Sequence, residues 1–137
     1  MEKLTRPDLY SLEIYHDKRP ELRRQVLAHK AARKVLFGAH AALYFEDRLT
    51  VQYQIQEMLR VERIFVGAAI QDELDAYNPL IPDGRNFKAT MLIEYEDEKA
   101  RRSALAKLKG IENKTWVQVE GSPKVYEIGR ASCRERV

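Results

Sequence analysis

At 137 residues, 45% of them apolar and 33% charged, the chain has the length of one globular domain and enough apolar side chains for a core. No apolar run approaches the roughly 20 residues of a membrane-spanning helix, and Met1 to Asp8 lacks the apolar stretch of a signal peptide, so the expected compartment is the cytoplasm. A formal charge of +3 is too small to argue for a nucleic-acid partner.

Thr5 is placed to cap a short helical turn, with Pro7 inside it and Asp8 three residues on. Glu13 and His16 have the Glu-x-x-His spacing of carboxylate-bridged di-iron sites, which need two such motifs and two further glutamates. The chain has no second motif, so no metal site is assigned. Pro20 suits the first turn of a helix running to about Lys34. Lys18, Arg19, Arg23, Arg24, Lys30, Arg33 and Lys34 face only Glu21 in that span. A solvated surface helix explains this pattern. The functional reading is an electropositive docking face, with Arg23, Arg24, Lys30 and Arg33 as candidate residues. No aromatic residues interleave with these charges as in a single-strand nucleic-acid binder.

Gly38 to Phe45 predicts a strand and Glu46-Asp47-Arg48 a turn. The alternation of Leu49, Val51, Tyr53 and Ile55 predicts a hairpin partner. This partner feeds a long helix that continues to Tyr77. The helix's apolar face holds Ile55, Met58, Leu59, Phe65, Val66, Ala69 and Leu74, with Glu62 inside the stripe and Arg60 and Arg63 on its flank. A carboxylate on an apolar face needs a partner, and arginine can bond it with both arms of its fork. Such a pair is more often structural than functional. The functional reading is a pocket for an anionic ligand, formed by Arg60, Glu62 and Arg63 with the loop that follows. Asn78-Pro79 ends the helix, and Pro82-Asp83-Gly84 makes a turn. Leu80 and Ile81 anchor that loop, so Asn78, Asp83 and Arg85 complete the candidate ligand set.

Lys88 to Tyr95 predicts a third strand. Asp97 caps a helix from Glu98 to Lys109, with Leu105 and Leu108 turned inward and Gly110 as its stop. Thr115 to Glu120 predicts a fourth strand, and Gly121-Ser122-Pro123 turns it into a fifth that begins at Lys124. Strands joined by tight turns give an α+β fold: a largely antiparallel sheet of about five strands, one long central helix and shorter helices. No glycine-rich phosphate loop, Ser–His–Asp arrangement or Cys-x-x-Cys pair appears. No catalytic residue and no cofactor is therefore assigned.

The last ten residues, Ile128 to Val137, match the in-frame translation of a common sequencing-library adapter and are set aside. The native part is expected to be one domain over residues 1–127, cut short at its C-terminus. Cys133, the only cysteine, lies in the tail. So do three arginines against one glutamate, which leaves the remainder at +1 rather than +3.

Three stretches together resemble the bacterial "domain of unknown function 3501" family. They are Phe45-Glu46-Asp47-Arg48, the run Gln54 to Ile64, and the run Glu73 to Asn86. Leu4 to Leu9 and Gly110-Ile111-Glu112 fit the same family. The resemblance covers about residues 1 to 127 and implies a longer C-terminus. The family has no established activity. Its genes lie beside rubrerythrin-like di-iron proteins and iron–sulfur oxidoreductases of the heterodisulfide-reductase type. By association the resemblance implies a place in anaerobic redox or peroxide defence. Taken with the absence of catalytic motifs and the basic helix from Lys18 to Lys34, this makes the expected function a non-catalytic accessory docking on a rubrerythrin-like or iron–sulfur partner. The alternative is a small enzyme or ligand sensor that binds an anionic molecule between the central helix and its following loop.

Overall fold

Thr50 decides where the main helical layer begins. Its amide donates to Asp47 Oδ1 at 3.0 Å, and its hydroxyl accepts from the Asp47 amide at 2.9 Å. This reciprocal cap starts a helix at Arg48. The alternation of Leu49, Val51, Tyr53 and Ile55 predicts a strand here, and the structure corrects it. Val51 and Ile55 belong to both a two-residue and a helical period. Leu59 extends the helical one, and all three are buried while Leu49 is exposed.

The computed structural model describes residues 1–126, in two compact units, Met1–Ile93 and the described residues from Glu94 onward. The expected adapter tail, with Cys133, and Glu127 of the fifth predicted strand lie outside the described residues. In the first unit a 3-10 turn, Arg6–Asp8, precedes α1 (Leu12–Ala31), β1 (Lys34–Phe37), β2 (Ala41–Phe45), α2 (Arg48–Val61), α3 (Gly67–Tyr77), a second 3-10 turn (Asn78–Leu80) and β3 (Ala89–Ile93). The strands form an antiparallel sheet in the order β1-β2-β3. Leu43 stands opposite Val35 on one side and Met91 on the other. The hairpin is therefore formed by residues 34–45, with Gly38 at φ +63° and exposed His40 in its turn. Helix α1 begins before Pro20, at the Ser11 cap, whose hydroxyl accepts from the Ile14 amide. Pro20 sits inside the helix and donates no bond to the His16 carbonyl. No helix of the described residues is long and apolar enough to cross a membrane.

The core of this unit is helical rather than sheet-based. It consists of Leu4, Val51, Ile55, Leu59, Leu74, Tyr77 and Ile81. The N-terminal segment reaches it without being a strand, so side-chain amides take its backbone polar groups. Asn78 Oδ1 accepts from the Leu4 amide and its Nδ2 donates to the Leu4 carbonyl, both at 2.8 Å. Gln56, itself buried, pairs in the same way with Tyr10, at 2.6 and 3.3 Å. Gln52 Nε2 donates to the Asp8 carbonyl at 2.6 Å.

The long helix expected to run through to Tyr77 is broken after Val61. The Ile64 amide donates to the Leu59 carbonyl at 2.9 Å and the Arg63 amide to the Arg60 carbonyl at 3.4 Å. This is a Schellman ending, which needs a left-handed residue just past the helix. Glycine usually supplies it, but here Arg63 does, at φ +53°. Without glycine the break carries no sequence signal, and the apolar stripe reads straight across it. Phe65 and Val66, expected on the inner face, are exposed instead. Arg63→Gly should raise stability by about 1 kcal/mol, because a side chain in this region is strained. The check is a higher urea midpoint at unchanged slope. A lower midpoint would mean that the arginine side chain contributes more than its backbone costs.

The second unit holds α4 (Glu98–Lys107) and a two-stranded antiparallel ladder, β4 (Trp116–Val117) with β5 (Val125–Tyr126). Asp97 caps α4 as expected, accepting from the Ala100 amide at 2.7 Å. Leu105, expected inward, is exposed, and Leu108 is half-buried. The Lys124 ammonium lies 4.1 Å from the centre of the Trp116 ring.

Candidate functional site

Two polar arrangements in the first unit invite a functional reading. The first joins α1 to α2. Arg19 donates to Glu57 Oε1 from Nε at 2.7 Å and to Oε2 from Nη2 at 3.0 Å. The Tyr15 hydroxyl adds a bond to Oε1 at 2.7 Å, and Arg60 Nη2 one to Oε2 at 3.2 Å. Burial alone would raise the Glu57 carboxyl; the bonds from Arg19, Tyr15 and Arg60 outweigh it and hold the group at about 2. Burial, then the bond to Glu57, pushes the Tyr15 phenol well above its usual value, so it stays a donor. This is a structural cross-tie between helices. Its carboxylate is Glu57, not Glu62, which lies past the helix end and is exposed.

The second arrangement is an open groove at the end of β2. Arg33 Nε donates to the Phe45 carbonyl at 3.1 Å, which fixes the guanidinium beside that strand end. The loop after α3 reaches the same place. Pro82 is buried, and Asp83 Oδ1 accepts from the Arg85 amide at 2.8 Å. The Glu46 amide then ties the loop down by donating to the Lys88 carbonyl at 2.8 Å. Between them lies a groove of about 350 Å³, with Arg33, Phe45, Glu46, Arg85, Phe87 and Lys88 in its lining. The Phe45 and Phe87 rings meet edge to face, centres 5.9 Å apart. Phe87 is 81% exposed.

The groove's charges are unequal. Glu46 is buried and accepts from the Thr50 and Thr90 hydroxyls at 2.5 and 2.6 Å, so both of its oxygens are engaged. Arg33 is partly neutralised by Asp47 Oδ2 at 3.5 Å, which His29 Nε2 also approaches at 2.7 Å. Burial raises the Asp47 carboxyl, but the Thr50 amide, His29 and Arg33 bring it below its usual value. Among the described residues the Arg85 guanidinium and the Lys88 ammonium meet no acceptor. The groove therefore offers two uncompensated cations beside an exposed aromatic ring.

The structure does not gather the six ligand candidates around one point by hydrogen bond or ion pair. Arg60 is turned to Glu57. Glu62 and Arg63 are exposed on the turn after α2. Asn78 is engaged by Leu4, and its carbonyl accepts from Lys3 Nζ at 2.7 Å. Asp83 closes the loop that presents Arg85, and Arg85 lines the groove. Of the docking candidates, Arg23 and Arg24 are exposed on α1. Arg24 pairs with Glu21 at 2.6 Å, and Arg23 Nη1 donates to the Tyr53 hydroxyl at 3.4 Å. Lys30 lies over the Tyr53 ring at 5.7 Å. Arg33 joins Arg85 at the groove. Glu46, Glu57, Phe87 and Lys88 were not singled out by sequence reasoning. An aromatic inside a polar loop, as Phe87 is, was the available signal for the groove. Among the described residues no group of three or more His, Cys, Asp or Glu side chains is arranged to hold a metal ion.

Comparison with known proteins adds three findings. A family model described as "Protein of unknown function (DUF3501)" matches residues 3–136. No curated protein matches the chain. A crystal structure of a novel protein of unknown function from Burkholderia pseudomallei K96243 is similar, with 51% identity and a TM-score of 0.86 over 90% of this chain and 70% of that one.

Proposed function

We propose, for a chain that belongs to the DUF3501 family of proteins of unknown function, that it is a non-catalytic docking module whose groove at Arg33, Arg85 and Lys88 seats an acidic partner protein. One observation carries this reading: Arg85 and Lys88 are held by an ordered loop beside exposed Phe87, without a carboxylate of their own. Arginine and aromatic side chains are the types enriched at interfaces. Charge complementarity then selects an acidic surface and speeds its approach. The groups with shifted protonation support binding over chemistry. Asp8, Tyr15, Arg19, Glu21, Asp47 and Glu57 each have a structural partner, and none of them lines the groove. The redox setting implied by the family's gene neighbours makes a rubrerythrin-like or iron–sulfur protein the partner to try first.

The test measures binding between the purified chain and each neighbour-encoded redox protein, by native mass spectrometry and by titration at increasing salt. A complex is expected that weakens as salt rises. Arg85→Glu with Lys88→Glu should weaken it at least tenfold while the circular dichroism spectrum is unchanged. If Arg23→Glu with Lys30→Glu breaks the complex and the groove variant does not, the docking face is α1 and the groove reading fails. Absence of any complex with an acidic partner would also sink it.

A further inference from the structure

A second groove, of about 320 Å³, lies between the N-terminal segment and the turn that separates α2 from α3. Leu9, Leu59, Ile64 and Ile70 line it, and all four are continuous with the hydrophobic core. The Schellman ending explains its shape. It turns Ile64 back against Leu59 and leaves the next residue, Phe65, 75% exposed at the groove's lip.

Arg6 supplies the groove's charge, and no Asp or Glu lines it. Among the described residues the Arg6 guanidinium has no acceptor, whereas nearby Asp8 is taken by Arg48 at 2.7 Å. The guanidinium rests instead over Gly67: a Cβ there would stand 2.4 Å from Arg6 Nη1. Glycine at the start of α3 thus makes room for a cation that no described residue neutralises.

We propose that this groove binds a small amphipathic carboxylate, an aliphatic or aromatic acid. Its apolar body would lie on Leu59, Ile64 and Ile70 under the Phe65 ring, and its carboxylate would pair with the Arg6 fork. Apolar walls with one polar anchor are what such ligands require, and guanidinium matches carboxylate in two parallel bonds. The site is separate from the docking groove and does not depend on it.

The test uses decanoate as probe and decanol as its neutral counterpart, titrated into the full chain by calorimetry and by amide chemical shifts. Saturable decanoate binding is expected, with shifts centred on Leu59 to Ile70. Arg6→Gln should weaken it at least tenfold, and Gly67→Ala, which displaces the guanidinium, should do likewise. Arg102→Gln, which is not among the groove's lining residues, should leave it unchanged. Decanol should bind more weakly and with no response to Arg6→Gln. The proposal is overturned if decanoate does not saturate, if decanol binds as tightly, or if both Arg6→Gln and Gly67→Ala bind decanoate as the parent does.

Discussion

Glu57→Gln should destabilise the protein by about 2 kcal/mol at neutral pH, with the deficit closing as the pH falls toward 2. The carboxyl is held at about 2 against a reference of 4.5. Linkage alone converts that difference to roughly 3 kcal/mol, and partial exposure of the cluster trims it. The sign follows from the direction of the shift. A carboxyl depressed on folding stabilises above its unfolded value of 4.5 and loses that contribution as pH drops through its folded value. Glutamine keeps an acceptor for the buried Tyr15 hydroxyl but removes the charge that both Arg19 and Arg60 face. Urea titrations of parent and variant between pH 7 and 2 check this. Asp8, Glu21 and Asp47 also carry depressed carboxyls, so the parent curve alone does not isolate Glu57. The difference between the two curves does. A difference that stays constant with pH would show that the charge at Glu57 is not what ties α1 to α2.

Asn78→Ala should cost about 2–3 kcal/mol by leaving the Leu4 amide and carbonyl without partners. Leu4 is only 3% exposed, so water does not readily replace the amide. Its side chain is also part of the core that includes Leu74, Tyr77 and Ile81. The N-terminal segment should therefore loosen first, seen as faster amide exchange at Leu4 and earlier proteolysis before α1. The residue was a ligand candidate from sequence, and the same variant separates the roles. If stability is unchanged, Asn78 is not the clamp its two 2.8 Å bonds describe.

What was legible in the sequence was local. The Thr5 and Asp97 caps and the Pro82–Gly84 turn are written in residue types that favour those backbone states, and they appear where expected. The hairpin around Gly121 also forms, but its ladder pairs only Trp116–Val117 with Val125–Tyr126, shorter than the strand expected from Thr115 to Glu120. The α+β class follows from them. Two local readings went astray for physical reasons. Val51 and Ile55 satisfy both strand and helix periods, so only the Asp47–Thr50 cap decides between them. Arg63 takes a backbone state normally marked by glycine, so the break between α2 and α3 leaves no trace in composition.

The candidate sites were legible only in part. Arg33 and Arg85 were each picked out, but for different roles, and nothing in their separate neighbourhoods says that they share a groove. A carboxylate bound by arginines on the central helix was also anticipated, and the helix presents Glu57 where Glu62 was expected. The sequence by itself determined the class of fold, the family, and the caps and turns that begin and end its elements. The caps and turns depend on propensities and hydrogen bonds within a few residues, and the family on the resemblance of whole stretches such as Gln54 to Ile64. Only the tertiary structure decided which carboxylate Arg19 would find, which backbone Asn78 would clamp, and which cations would be left without a counter-ion. Those outcomes depend on which elements pack together, and the energy that selects the packing is spread over the whole core.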